Sequence, residues 1–133
     1  MPLNPYLFFN GNCEEAFKYY EQHLGGKIES MMTHAGTPAE AQTPPEWRDK
    51  ILHGRMTIGD TVVMASDAPP GRFQQPQGFS LSLGTKDSAE ADRWFQALSK
   101  NATIVMPIQK TFWAARFGML IDQFGIPWMV NCD

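Results

Sequence analysis

A chain of 133 residues with 43% hydrophobic and 19% charged side chains has the composition of one globular domain. Its net charge of −3 comes without a cluster of lysine or arginine, which argues against nucleic acid and anionic membranes as partners. The N-terminus has no basic start and no long apolar run, and two cysteines are too few for a disulfide framework. We therefore expect a cytoplasmic protein without a signal peptide or a membrane span.

The first half of the chain predicts a strand, a helix and three further strands. Asn12 and Glu15 have the spacing of a capping box, so we expect a helix to begin there, and Gly25-Gly26 ends its apolar face. Residues 34–49 hold three prolines and show no period, which is typical of a lid, a binding loop or an oligomer contact. Strands are predicted at residues 6–9, 27–33, 50–58 and 61–66.

The same order returns after a linker rich in proline and glycine at residues 68–77. A second helix is predicted from Asp87-Ser88. Every second residue from 115 to 121 is apolar, as in a strand with one buried face, and residues 122–125 supply a turn. Strands are predicted at residues 79–83, 103–108, 115–121 and 126–130. The chain therefore reads β-α-β-β-β twice, and we expect an α+β fold.

Five segments, taken in their order along the chain, resemble one known family. They are PYLFFNGNCEEAFKYY near the start, then ILHGRMTIGD, MASDA, FWAARFG and DQFGIPWMVN. Together they are similar to the PhnB-like branch of the vicinal oxygen chelate superfamily, which includes glyoxalase I, extradiol dioxygenases and bleomycin-resistance proteins. The resemblance implies a single glyoxalase-like domain over residues 1–133. Its two βαβββ modules, about 1–67 and 78–133, would form a curled mixed sheet of two half-barrels around a cavity.

The resemblance also implies where a metal would bind. Metal-dependent members of the superfamily hold the ion with His, Glu or Gln at four strand positions. Carried over residue by residue, these positions fall in residues 4–6, in residues 64–66, on Ser80 (or Phe79 if the register slips by one) and on Met129. None offers an imidazole or a carboxylate, so we expect the cavity without a catalytic metal or other cofactor. Some relatives carry a ubiquinone-methyltransferase label, but the sequence has no glycine-rich strand-to-helix turn for a methyl donor.

His53 and Arg55 are the first candidates for contact with a ligand. They share the strand face opposite to Leu52 and Met56, which we assign to the core, and the resemblance places their face in the cavity. There they would bind a small organic molecule that is anionic or rich in oxygen. Alternatively, His53 bonds across the sheet and Arg55 faces solvent. An inward Arg55 needs a partner, either an anionic ligand group or Asp67.

Trp113 and Trp128 lie near the ends of the last two strands. They fit the stacking walls of a ligand pocket as well as they fit sheet core or a dimer contact. The predicted pocket takes residues from both modules, namely His53, Arg55, Met64, Ser66, Trp113 and Trp128.

Two other functions stay open at this stage. One is a metal-dependent lyase, isomerase or dioxygenase that recruits its ion through Asp67, His53 and loop residues. The other is a drug-sequestering protein like the bleomycin-resistance proteins. Such proteins favour an acidic, aromatic cleft for a cationic drug, and the face formed by His53 and Arg55 argues against that chemistry.

Two further expectations concern assembly and thiol chemistry. Superfamily modules commonly pair between chains, so we expect a homodimer in which the loop bearing Pro44, Pro45 and Trp47 contributes contacts. Cys13, near the first helix start, is expected to be a small packed residue. The alternative is a thiol whose pKa is lowered by the helix.

Overall fold

The computed structural model describes all residues from Met1 to Asp133, which form two compact units. Unit 1 is Met1–Gln74 and unit 2 is Gln75–Asp133. Each unit contains one four-stranded mixed sheet and one longer helix. The α+β class and the repeated β-α-β-β-β order are confirmed. Neither helix has the length and apolar character that a membrane crossing requires.

Unit 1 follows the predicted order closely. Its elements are β1 (Tyr6–Phe9), α1 (Cys13–Leu24), β2 (Lys27–Thr33), β3 (Ile51–Ile58) and β4 (Thr61–Asp67). The strands pair in the order β1-β4-β3-β2, with β1 and β4 parallel and the other pairs antiparallel. Short 3₁₀ turns at Glu40–Gln42 and Pro45–Trp47 shape the proline-rich loop.

The helix α1 packs on one side of this sheet because its apolar residues fall on a single face. Phe17 and Tyr20 are almost completely buried there. Gly54 on β3 makes room for the Phe17 ring, since a Cβ at that position would come within 3.2 Å of it. The core of unit 1 therefore lies between α1 and the sheet.

The predicted capping box at Asn12 and Glu15 is wrong. Asn12 makes no side-chain cap. Instead the buried carboxylate of Asp67, at the end of β4, accepts a hydrogen bond from the backbone N–H of Cys13 at 2.9 Å. Its second oxygen accepts the backbone N–H of Ile51 at 2.8 Å. One distant carboxylate thus fixes the starts of both α1 and β3, which a local sequence pattern cannot reveal.

Unit 2 repeats the topology with a different set of anchors. Its elements are β5 (Leu81–Thr85), α2 (Ser88–Leu98), β6 (Thr103–Gln109), β7 (Arg116–Ile121) and β8 (Pro127–Cys132). The strands pair in the order β5-β8-β7-β6, again with one parallel pair, β5 and β8. Here the helix is capped locally, because the Asp87 side chain accepts the Ala89 N–H at 3.0 Å. Cys132 occupies the place at the end of β8 that Asp67 holds at the end of β4.

The most buried face of β7 is not the alternating apolar face that predicts a half-buried strand. It is the face of Gly118 and Leu120, and Leu120 is 1% exposed. On the opposite face Phe117 is 8% exposed, whereas Met119 and Ile121 keep partial exposure. The face toward α2 is marked by Gly118, where a Cβ would come within 2.6 Å of the Phe95 ring. Because a glycine stands on the face that packs against α2, the apolar alternation in the sequence appears among the residues of the opposite face.

Candidate ligand-binding face

The predicted strand parity of β3 is confirmed. Gly54 lies against the Phe17 ring of α1, and Met56, two residues on, is completely buried. His53 and Arg55 alternate with these residues, so they project from the opposite side of the sheet. We call this side the open face of unit 1. It carries Tyr6, Phe8, His53, Arg55, Met64 and Ser66.

The strand register brings four of the six predicted site residues together on the open face. Met64 on β4 is paired with Arg55 on one side and with Tyr6 on the other. Ser66, two residues on, projects from the same side and is paired with Phe8. The predictions for His53, Arg55, Met64 and Ser66 therefore converge on one surface, but their role in binding stays a prediction.

Two aromatic residues of this face were not among the predicted site residues. Tyr6 is 38% exposed and Phe8 is 54% exposed, whereas Leu7 between them is buried. The Tyr6 ring lies 6.0 Å from the His53 ring, measured between centroids. All four residues of β1 are apolar or aromatic, so the sequence does not indicate which side of the strand is free. Only the parallel pairing of β1 with β4 places Tyr6 and Phe8 beside Met64 and Ser66.

The partner of Arg55 is Glu29, which corrects the expectation that Asp67 could fill this role. The Arg55 Nε donates to a Glu29 carboxylate oxygen at 3.0 Å, and both side chains are more than 40% exposed. Asp67 shares the strand side of Ala65, toward α1, and both of its oxygens accept backbone N–H groups there. An exposed ion pair contributes only about 0–1 kcal/mol, so Arg55 can exchange Glu29 for another anion at little cost.

Three polar side chains of the open face have donor or acceptor atoms without a hydrogen-bond partner in the protein. The terminal nitrogens of Arg55, both ring nitrogens of His53 and the hydroxyl of Ser66 make no hydrogen bond within the protein. His53 has Tyr6 as its ring neighbour, and that contact uses no polar atom. A row of unpaired donors and acceptors on a partly aromatic surface can receive oxygen atoms of a ligand.

Trp128 occupies a core position in unit 2. It is 2% exposed, and it is paired with Leu120 and Leu81 on the side of the sheet that α2 covers. Its indole N–H donates to Asp122 at 2.8 Å. The other oxygen of Asp122 accepts the backbone N–H groups of Phe124 and Ile126, each at 2.9 Å. These contacts give Trp128 a structural part in the β7–β8 turn, and its predicted contact with a ligand stays untested.

Trp113 is on the surface of unit 2. It is 52% exposed, and its ring meets the edges of Phe112 and Phe117 at centroid distances of 4.7 and 5.4 Å. The turn that carries it is closed by Thr111, whose N–H donates to the Ala114 carbonyl at 3.0 Å. The aromatic ring is therefore held on an ordered turn and available for stacking, and its place in a ligand pocket stays a prediction.

The His, Cys, Asp and Glu side chains form no group of three that could hold a metal ion, and both cysteines are buried. Both carboxylate oxygens of Asp67 accept hydrogen bonds from backbone N–H groups. His53 belongs to no group of three such side chains. Burial, and after it the negative charges of Asp67 and Glu14, raise the pKa of the Cys13 thiol far above its usual range. The expectation that Cys13 is a packed residue is confirmed.

The two strand-to-helix turns contain a single glycine between them. The turn from β1 to α1 contains one glycine, Gly11, where a Cβ would come within 3.1 Å of the Trp47 ring. The turn from β5 to α2 consists of Lys86 and Asp87. A dinucleotide or methyl-donor site of the common α/β type uses several glycines at such a turn to let the ligand approach the backbone.

Comparisons with known proteins agree on one family. The family described as 3-demethylubiquinone-9 3-methyltransferase matches residues 2–131. Protein YjdN of Escherichia coli K12 is 39% identical over 139 aligned positions, which cover 98% of this chain and 95% of that protein. The crystal structure of protein PA1353 from Pseudomonas aeruginosa is 46% identical, with a TM-score of 0.91 over 100% of this chain and 98% of that one.

A more distant solved structure carries the PhnB name. It is described as a putative 3-demethylubiquinone-9 3-methyltransferase, PhnB protein, from Bacillus cereus, and it is 21% identical with a TM-score of 0.85 over 100% of both chains. At this identity the likeness shows a shared fold. The family match over residues 2–131, together with the likeness to YjdN, shows that the chain belongs to the family described as 3-demethylubiquinone-9 3-methyltransferase, and the PhnB structure shares its fold.

Proposed function

We propose that the protein binds a small organic molecule on the open face of unit 1. One observation carries this proposal: Arg55, His53 and Ser66 lie on the same face with unused hydrogen-bonding groups, among the apolar side chains of Tyr6 and Met64. Ligand sites are mainly apolar and aromatic, with a few polar groups that fix orientation. The open face has this composition.

The ligand carries an anionic or oxygen-rich group that meets Arg55. The guanidinium uses only Nε on Glu29, so its two terminal nitrogens can bind two oxygens of a carboxylate or a phosphonate. His53 and Ser66 supply further donors for the remaining oxygens. Binding proceeds without a catalytic divalent metal, because no group of three His, Cys, Asp or Glu side chains is available to hold one.

We also propose that the protein forms a homodimer. Two-fold dimers are the commonest closed assembly of soluble proteins, and the proline-rich loop of unit 1 gives an ordered surface for such a contact. Part of this loop is anchored, since Trp47 packs on Gly11 and lies 5.9 Å from the Lys50 ammonium group. Light scattering at micromolar concentration would give twice the chain mass of 15.0 kDa, whereas a constant monomer mass would contradict the proposal.

The binding proposal is tested with two opposing substitutions. A thermal-shift screen of small carboxylates and phosphonates identifies a ligand, and its dissociation constant is then measured for each variant. Arg55→Ala should weaken an anionic ligand by about 1.5–3 kcal/mol, the contribution of a hydrogen bond to a charged group. Glu29→Gln should tighten the same ligand, because it removes the anion that competes for Arg55.

Lys18→Ala is the matched control. Lys18 is also an exposed cation in an ion pair, with Glu14 at 2.8 Å, but it lies on α1, away from the open face. It removes the same charge from the chain and should leave the dissociation constant unchanged. Equal effects of Arg55→Ala and Lys18→Ala would show that only net charge matters, and the open face would be rejected as the site.

A further inference from the structure

Three methionines lie side by side across the sheet of unit 2. Met106 on β6 is paired with Met119 on β7, and Met119 is paired with Met129 on β8. We call these three residues the methionine row. Side chains directly opposite one another on antiparallel strands have Cβ atoms about 4.5–5.5 Å apart. The row therefore brings three thioether groups into one neighbourhood.

The methionine row is on the side of the sheet turned away from α2. Gly118 and Leu120, the neighbours of Met119 along β7, belong to the row that faces the helix, as the approach of Gly118 to Phe95 shows. Met119 and its two partners consequently project from the opposite side. All three are partly exposed, in contrast to the fully buried Val130 on the helix side.

Neither strand propensity nor core filling accounts for three methionines at these positions. Strands favour β-branched and aromatic side chains, and methionine gains nothing over them at a half-buried position. A core position would be covered, but these three side chains retain contact with solvent. What distinguishes methionine from Leu or Ile of similar size is a polarizable sulfur with three rotatable bonds to aim it.

We propose that the methionine row binds a soft monovalent cation, Cu(I), through its three thioether sulfurs. Thioethers are soft ligands that select Cu(I), and they stay neutral at any pH. The next residue along the row is Ser82, paired with Met129, so no carboxylate that would favour a hard ion extends it. The proposal goes beyond ligand binding on the open face, because it uses residues of unit 2 alone.

The test is a titration of the full chain with Ag(I), a redox-stable analogue, and with Cu(I) under anaerobic conditions against a coloured Cu(I) chelator. Binding should saturate at one ion per chain. In a protein labelled with ¹³C at the methionine methyl groups, the resonances of the three row members should shift, and the other five of the eight methionines should not.

Met119→Leu removes the central sulfur at nearly constant volume. Outer-shell partners alone are worth about 10–100-fold in metal affinity, so loss of a direct ligand should weaken binding at least tenfold. Met31→Leu, at a partly exposed strand position of unit 1, is the matched control and should bind as the original chain does. The unfolding midpoints of both variants verify that each is folded.

Three results would overturn the proposal. One is the absence of saturable binding. Another is equal affinity in Met119→Leu and the unsubstituted chain, which would place any bound ion away from the methionine row, for example at one of the two remaining thiols. The third is a set of methyl shifts that leaves out the methionine row.

Discussion

Replacing Asp67 should destabilise the protein more than any exposed acidic substitution. Its two oxygens accept the backbone N–H groups of Cys13 and Ile51 at 2.9 and 2.8 Å, and the residue is 4% exposed. Each hydrogen bond to a charged group is worth about 1.5–3 kcal/mol, so the two together contribute about 3–6 kcal/mol. Relief from burying the carboxylate in Asp67→Ala offsets part of this loss, and we expect a net loss of about 3 kcal/mol.

Domains of this size unfold with a free energy of about 5–15 kcal/mol, so Asp67→Ala can approach the limit of folding. Asp67→Asn is the milder variant, because its amide oxygen keeps one acceptor while the amide nitrogen faces the second N–H group. It should lose about 1.5–3 kcal/mol.

Urea unfolding followed by far-UV circular dichroism measures these losses as changes in the free energy of unfolding. Asp92→Asn, which breaks an exposed pair with Arg116 at 3.3 Å, serves as the control and should stay within about 1 kcal/mol. A loss below 1 kcal/mol for Asp67→Asn would refute the anchoring role. If an added divalent metal stabilised the original chain but not Asp67→Asn, the metal-dependent alternative would regain support.

Two more predictions concern packing and pH. Gly118→Ala should lower the free energy of unfolding by about 1–3 kcal/mol, because its Cβ would come within 2.6 Å of the Phe95 ring and 3.0 Å of backbone. Gly84→Ala is the control and should be nearly neutral, since a Cβ there has nothing within 4 Å. Equal effects of the two substitutions would contradict the close approach at Gly118. Because burial raises the pKa of Cys13 above its ordinary value of 9.0, the folded state keeps the proton that the unfolded state releases. Stability from this group is complete below pH 9 and should fall above it by about 1.4 kcal/mol per pH unit, a slope that Cys13→Ala should lack in urea unfolding at pH 8 to 10.5.

The local elements of the fold followed from the sequence because their signals are local. A helix shows its apolar face at a period near 3.6 and a strand at a period of 2, and both patterns are complete within about ten residues. The helices α1 and α2 and all eight strands were found this way, with the start of β5 placed two residues too early at residue 79. Phe79 precedes the strand and is 50% exposed, so its apolar side chain does not mark a buried strand position.

Site residues that follow from the alternation of side chains within one strand could be predicted from the sequence. Those that depend on which strands pair, and in which register, could not. His53 and Arg55 were placed on the free side of β3 by counting residues from the buried Met56. Tyr6 joined them only because β1 runs parallel to β4, a pairing of strands about 58 residues apart in the chain. Glu29 became the partner of Arg55 through the β2–β3 pairing, and no spacing rule along the chain connects the two.

The sequence by itself determined the order of the elements, the family and the alternation of each strand, since these are set by neighbouring residues. The tertiary structure decided which side of a strand meets a helix and which polar group meets which. In the folded chain the two oxygens of Asp67, which the sequence offers as a possible metal ligand, accept hydrogen bonds from two backbone N–H groups. Trp128 lies on the covered side of its sheet and donates a hydrogen bond to Asp122. The physical reason is that a buried polar group is stabilised by whichever partner the folded chain brings within hydrogen-bonding distance, and strand register, not sequence separation, sets that partner.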